Sequence, residues 1–240
     1  LTEWHKMHYC SHATGGMGLV FTEMTCTSAD ARITEGCPGI WNDTQEGQWK
    51  EIVDFIHANT GAKIAIQLGH AGRKGSTQLG WEKMDHPIKA KERNWPLTSA
   101  SAQPWFEGES AVPVPLDRAG MDRIKAEFVA STNRAARAGF DLLELHCAHG
   151  YLLASFLSPL TNRREDDWGG SLENRTRLSR EILLRIRAAC GDDFILGLAV
   201  NDNADVEVCL SRADMVEIIA LHDRDGLMDY VTVGAGSYFD

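Results

Sequence analysis

His146 and His149 stand three residues apart, and Tyr151 follows two further on, so two imidazoles and a phenol share one short stretch of chain. That set can polarise an oxygen and deliver a proton. Imidazole N–H donors stabilise charge developing on a carbonyl or nitro oxygen, and a nearby phenol can protonate the adjacent carbon. The same spacing also suits a structural His pair or part of a zinc site, although no Glu follows the first His as in His-Glu-x-x-His.

The elements that position these groups are legible around them. Leu142, Leu143 and Leu145 read as a short buried strand within the stretch from Asp141 to Tyr151, and the ionisable groups begin where it would end. In a parallel α/β protein that end is the face that carries the site. The pattern recurs. Gly18 to Thr25 is a strand, and a loop containing Gly36, Pro38 and Gly39 leads to a helix with Thr44 as N-cap, Trp49, Ile52, Val53 and Ile56 on one face and Gly61 beyond its end. Ala62 to Leu68 is the next strand, and it runs into Gly69-His70-Ala71-Gly72-Arg73.

A loop over residues 74–116 carries Trp81, Trp95, Trp105 and five prolines. Loops of this length are usually lids or substrate walls, and its tryptophans either shape a pocket or pack the loop itself. Asp117 then caps a helix with Met121, Ile124, Phe128 and Ala135 on one face, ending at Gly139. After the central strand comes a polar loop, Ser158 to Gly170, and Ser171 opens a helix with Leu178, Ile182, Leu183 and Ile186 that closes at Gly191. Phe194 to Val200 is a strand, Ser211 and Asp214 form a capping box, and Tyr230 to Val233 is a last strand entering a Gly-Ala-Gly-Ser-Tyr turn that ends at Tyr238.

Alternating strands and helices without hairpins imply a parallel sheet covered by helices, either doubly wound or an eight-stranded barrel. Gly-x-Gly-x-x-Gly is absent, so a dinucleotide Rossmann site has no support. Five strands and four helices are visible, and the chain reads as beginning in mid-loop. A barrel would lack about three strands, so the sequence reads as one domain cut from a longer protein.

Composition narrows the partners. The 240 residues are 43% apolar and 24% charged, with a net charge of −10, which disfavours nucleic acid and anionic membrane surfaces. Small-molecule chemistry is the expectation, and a homo-oligomer or fusion to further domains is compatible with it. No apolar run approaches the ~18 residues of a membrane span, and residues 1–12 are not a signal peptide. The six cysteines at 10, 26, 37, 147, 190 and 209 contain no Cys-x-x-Cys and read as reduced thiols of a cytoplasmic protein, without a zinc or iron–sulfur cluster.

Five segments in order carry a specific likeness: Thr22 to Thr25, Gln67 to Arg73, His146 to Tyr151, Phe156 to Arg164 and Trp168 to Arg175. Over nearly its whole length the chain resembles the old yellow enzyme family of FMN-dependent oxidoreductases, in its bacterial His-x-x-His branch. The resemblance implies a TIM (β/α)8 barrel, present here as about five strand–helix units, with FMN across its C-terminal mouth. It implies that Gln67 hydrogen-bonds the flavin pyrimidine and that Met24 lines the reactive face. His146 and His149 would grip the oxygen of an activated alkene, with Tyr151 as proton donor. NADH or NADPH would reduce the flavin, whose N5 would pass hydride to the β-carbon of an α,β-unsaturated carbonyl or nitro compound. A phenol of ordinary pKa near ~10 stays protonated until an enolate of comparable basicity forms. Residues 94–151 also resemble the reductase portion of enzymes acting on aromatic acyl-CoA thioesters.

Departures from the family pattern set the rival readings. The family carries an arginine near Ala199 against flavin N1, whereas Phe194 to Val208 contains no base, and Asp202 and Asp205 are acidic. The strands that would hold the FMN phosphate would follow Asp240, so this chain alone is expected to bind FMN weakly or not at all. An amine dehydrogenase or N-demethylase is the nearest rival, though such enzymes usually have a tyrosine-type residue at the position of His146. A catalytically silent barrel is the other.

Overall fold

The computed structural model describes residues 1–89, 93–191, 194–202 and 210–235. Its elements are α1 (Glu3–Thr14), β1 (Leu19–Cys26), α2 (Asp43–Asn59), β2 (Lys63–Gly69), α3 (Gly80–Lys83), β3 (Thr98–Ser99), β4 (Val114–Pro115) and α4 (Arg118–Ala138). Then come β5 (Leu142–His146), α5 (Leu152–Leu157), α6 (Leu172–Cys190), β6 (Ile195–Asp202), α7 (Arg212–Asp223) and β7 (Tyr230–Ala235).

Five strands form one parallel sheet in the order β1-β2-β5-β6-β7. Four spacings of a flat sheet would put the outer strands about 19 Å apart. Yet the rings of Phe21 on β1 and Tyr230 on β7 meet edge-on with centroids 6.4 Å apart. The sheet therefore curls, which is the wall of a TIM-type barrel. Side chains alternate across that wall. Ile64, Ile66, Leu68, Leu143, Leu145, Leu196 and Leu198 are buried in one core with Ile56, Phe128, Ile182 and Ile218 of the covering helices. Between them on β2 and β5, Gln67, Glu144 and His146 take the opposite face. Asp141 sets the start of β5 by accepting from the Ile64 N–H at 2.9 Å and from Lys63 Nζ at 2.8 Å.

Caps fall mostly where the sequence places them. Asp117 accepts from the Gly120 N–H, Ser171 from Asn174, and Ser211 with Asp214 forms a capping box. Helix α2 differs: Asn42, and not Thr44, accepts from the Gln45 N–H at 2.9 Å, which moves Thr44 inside the first turn. Helices α1 and α5, and the short α3 within the 74–116 segment, replace expected irregular chain. The expected mid-loop start is α1, whose Tyr9 packs on Trp49 with ring centroids 5.5 Å apart. Directly after Tyr151, α5 is buried along its whole length, so no polar face gave it a helical period.

The second half of the 74–116 segment is closed on itself. Val114 N–H donates to Leu97 O at 2.8 Å and Leu116 N–H to Ser99 O at 3.0 Å, which pairs β3 with β4. Among the described residues no helix is long and apolar enough to cross a membrane. Asp205, Cys209 and the 236–238 end of the last turn lie outside the described residues.

Candidate active site

His146 is the last residue of β5 and 4% exposed. Burial, reinforced by the neighbouring His149, pushes its pKa down to about 3, so its ring is neutral at neutral pH. Its Nδ1 accepts the Ala148 N–H at 3.2 Å, which leaves the ring proton on Nε2. That Nε2 lies 3.3 Å from His149 Nδ1. His149 is also held below the ordinary histidine range, by burial and then by the charge of Lys74. With His146 Nε2–H donating to its Nδ1, neutral His149 carries its own proton on Nε2. The pair is thus a relay of two neutral imidazoles with a defined donor at its far end.

The backbone around the pair is unusual. His149 has φ 58°, a left-handed conformation uncommon outside glycine. Its N–H donates to Asn201 Oδ1 at 2.5 Å, so the end of β6 holds the strained turn. Tyr151 is the N-cap residue of α5, and its ring lies 5.1 Å from that of His146 and 6.2 Å from that of His149, edge-on to both. The sequence-predicted trio is therefore one cluster.

Two glycines make room for it. A Cβ on Gly69 would stand 2.5 Å from Met24 Sδ and 3.3 Å from His146 Cβ, so the end of β2 passes between those side chains only without a side chain of its own. A Cβ on Gly72, at φ 60°, would meet the Leu152 backbone at 2.9 Å. There the loop after β2 and the start of α5 are joined by Leu152 N–H donating to His70 O at 2.9 Å. Met24 is buried beside Gly69 and packs in a small cluster with Cys26, Ala31 and Ala71, against which Tyr151 also rests.

Gln67 comes to the same face one step deeper. Its Nε2 donates to Glu144 Oε1 at 2.7 Å, and Glu144 Oε2 accepts from Thr232 Oγ1 at 2.5 Å. Glu144 is 1% exposed, a carboxyl satisfied by two neutral donors inside the barrel wall. Its alternation with Leu143 and Leu145 is the signal in the sequence that marks it, on the face opposite the leucines. Like it, Asn201 and Lys74 are absent from the sequence expectations. Lys74 is buried with its ammonium 4.6 Å from the Trp105 ring centroid, and no local pattern marks either residue. Ala199, where the resemblance implies arginine, pairs with His146 on one side and Thr232 on the other.

The long loop's tryptophans part company. Trp105 covers Lys74 and Trp95 lies under Arg32, while Trp81 is 83% exposed. A cleft of about 370 Å³ opens within the loop between Gly75, Thr77, Ile88 and Trp105, and its lining contains neither histidine of the pair.

The profile of the NADH:flavin oxidoreductase / NADH oxidase family matches residues 1–227. An NADPH dehydrogenase of Listeria monocytogenes serotype 4a is 38% identical over 227 residues, 91% of this chain and 62% of the relative. The chain thus spans somewhat under two thirds of the length of this curated relative. Among solved structures, a complex of 2-naphthoyl-CoA reductase with 2-naphthoyl-CoA superposes with TM-score 0.87 at 25% identity, over 100% of this chain and 36% of that one. Old Yellow Enzyme from Pichia sp. superposes with TM-score 0.81 at 27% identity, over 97% of this chain and 62% of that one.

Proposed function

The chain belongs to the NADH:flavin oxidoreductase / NADH oxidase family, that of the old yellow enzymes, and on that premise we propose that the whole protein is an FMN-dependent oxidoreductase that uses NADH or NADPH to reduce the activated C=C bond of an α,β-unsaturated carbonyl compound. The observation that carries this reading is the neutral His146–His149 relay with the Tyr151 ring beside it.

The residues present fit the flavin. Gln67 offers an amide edge whose orientation Glu144 sets, and Met24 beside the bare Gly69 offers an apolar face at the strand ends. When bound, FMN supplies the hydride that the nicotinamide has given it. The chain's own residues do the rest. The relay presents the His149 Nε2–H to the substrate oxygen with the His146 Nε2–H behind it, and because burial keeps both rings neutral it stabilises developing charge without first surrendering a proton. Tyr151 gives its phenolic proton to the α-carbon. His146 favours this chemistry over an amine dehydrogenase, for which a tyrosine-type residue is expected at that position.

An aromatic acyl-CoA thioester is the finer substrate class we propose, supported by the superposition on the 2-naphthoyl-CoA reductase complex and by the likeness of residues 94–151. The five described cysteines are free thiols, in keeping with a cytoplasmic location. The test is ligand binding to the whole FMN-loaded protein. A phenolate seated on the relay gives a charge-transfer band with the flavin, and His149→Ala is expected to weaken its binding at least tenfold; unchanged binding would remove the oxygen-gripping role from the pair.

A further inference from the structure

Cys26 ends β1, and its backbone is gripped by the loop that follows. Its N–H donates to Pro38 O at 2.9 Å, its carbonyl accepts from the Ile40 N–H at 3.1 Å, and it pairs in parallel with Gly39. Cys37 stands two residues before Gly39, and alternation along an extended segment puts both on one face. The two thiols interact, and Cys37 packs against the cluster that holds Cys26. The Cys37 sulfur accepts from the Thr34 N–H at 3.4 Å and lies 3.7 Å from Thr34 Oγ1. The cluster also holds Met24 and Ala71, and Tyr151 packs against it. Cys26 is fully buried, whereas Cys37 is partly exposed.

We propose that Cys26 and Cys37 are a reactive dithiol in the wall beside Met24 and Tyr151, which a hydroperoxide closes to a disulfide. Donors converging on the Cys37 sulfur lower its pKa to about 6, while burial raises that of Cys26, so their roles differ. The Cys37 thiolate attacks one peroxide oxygen, the O–O bond breaks, and the leaving hydroxide is protonated to water, which leaves a sulfenic acid. The Cys26 sulfur then displaces the sulfenic hydroxyl. An S–S bond forms, the Cys26 proton leaves with that hydroxyl as a second water, and one peroxide is reduced as two thiols are oxidised. The bond would fix residues 37–40 to the end of β1.

The experiment exposes the folded chain to one equivalent of hydrogen peroxide, alkylates remaining thiols and maps the peptides by mass. The expected product is 2 Da lighter, with Cys26 joined to Cys37 and the other cysteines alkylated. Its rate levels off above pH 7, whereas that of an ordinary thiol keeps rising through its pKa near ~8.5. In Cys26→Ser, Cys37 is expected to stop as a sulfenic acid trapped by dimedone. The proposal is overturned if both thiols of the unmutated chain are alkylated after peroxide, if Cys37 becomes a sulfinic acid while Cys26 stays free, or if either pairs with a different cysteine.

Discussion

Gln67 Nε2 and Glu144 Oε1 are 2.7 Å apart, and this one hydrogen bond settles which way the Gln67 amide faces. With its nitrogen committed to the carboxyl, the amide oxygen turns the other way. A buried acid thereby orients the group expected to meet the flavin pyrimidine. Glu144→Ala leaves two buried donors, Gln67 and Thr232, without their acceptor, at about 1–3 kcal/mol each. We expect urea unfolding to report a loss of about 2–4 kcal/mol; a change under about 0.5 kcal/mol would show the bond to be dispensable.

Tyr151→Phe separates positioning from proton delivery. Removing one hydroxyl from a residue whose ring contacts persist should slow the alkene half-reaction of the whole protein by about 10²- to 10⁴-fold, while flavin reduction by nicotinamide is preserved. Stopped-flow measurement of both half-reactions decides it, and equal slowing of the two would refute a donor role.

Asn201→Ala releases the backbone of His149. The left-handed turn at φ 58° then loses the acceptor that holds its N–H, so the second imidazole loses its fixed place. Stability should fall by about 1–3 kcal/mol, and phenolate ligands should bind more weakly although no ligand-facing group has been removed. Unchanged ligand affinity would mean that the turn is held by other contacts.

Acid should destabilise the chain before its carboxylates titrate. Burial holds His70 and His222 at about 4 and His146 at about 3, against 6.5 unperturbed. Below pH ~6.5 the unfolded chain takes up protons that the folded chain refuses, so the stability these groups contribute is complete above 6.5 and is lost as the pH falls toward 4. Each contributes a slope of about 1.4 kcal/mol per pH unit, together about 4. Denaturant titrations between pH 7.5 and 4.5 check this, and constant stability across that range would contradict the neutral assignment of the buried rings.

The parts of the molecule that local chemistry dictates were readable from the sequence. Asp117, Ser171 and Ser211 announce their helices because a capping side chain needs only the next three residues. The clustering of His146, His149 and Tyr151 follows from one strand end. The cap of α2 falls at Asn42, two residues before Thr44, because both residue types cap well and the tertiary approach decides between them. Helix α1 is about three turns with too weak an apolar face to announce itself, and α5 has no polar face at all. Glu144, Asn201 and Lys74 join the site through partners 77, 52 and 31 residues away along the chain, which no motif records.

The central claim is that this relay serves alkene reduction on a flavin. Its most direct test is an anaerobic visible spectrum of the whole protein with FMN, first with NADPH or NADH and then with 2-cyclohexenone. Bleaching of the band near ~450 nm by the nicotinamide, followed by its return on adding the enone, is the predicted result. A flavin that bleaches and stays bleached in the presence of the enone would contradict it.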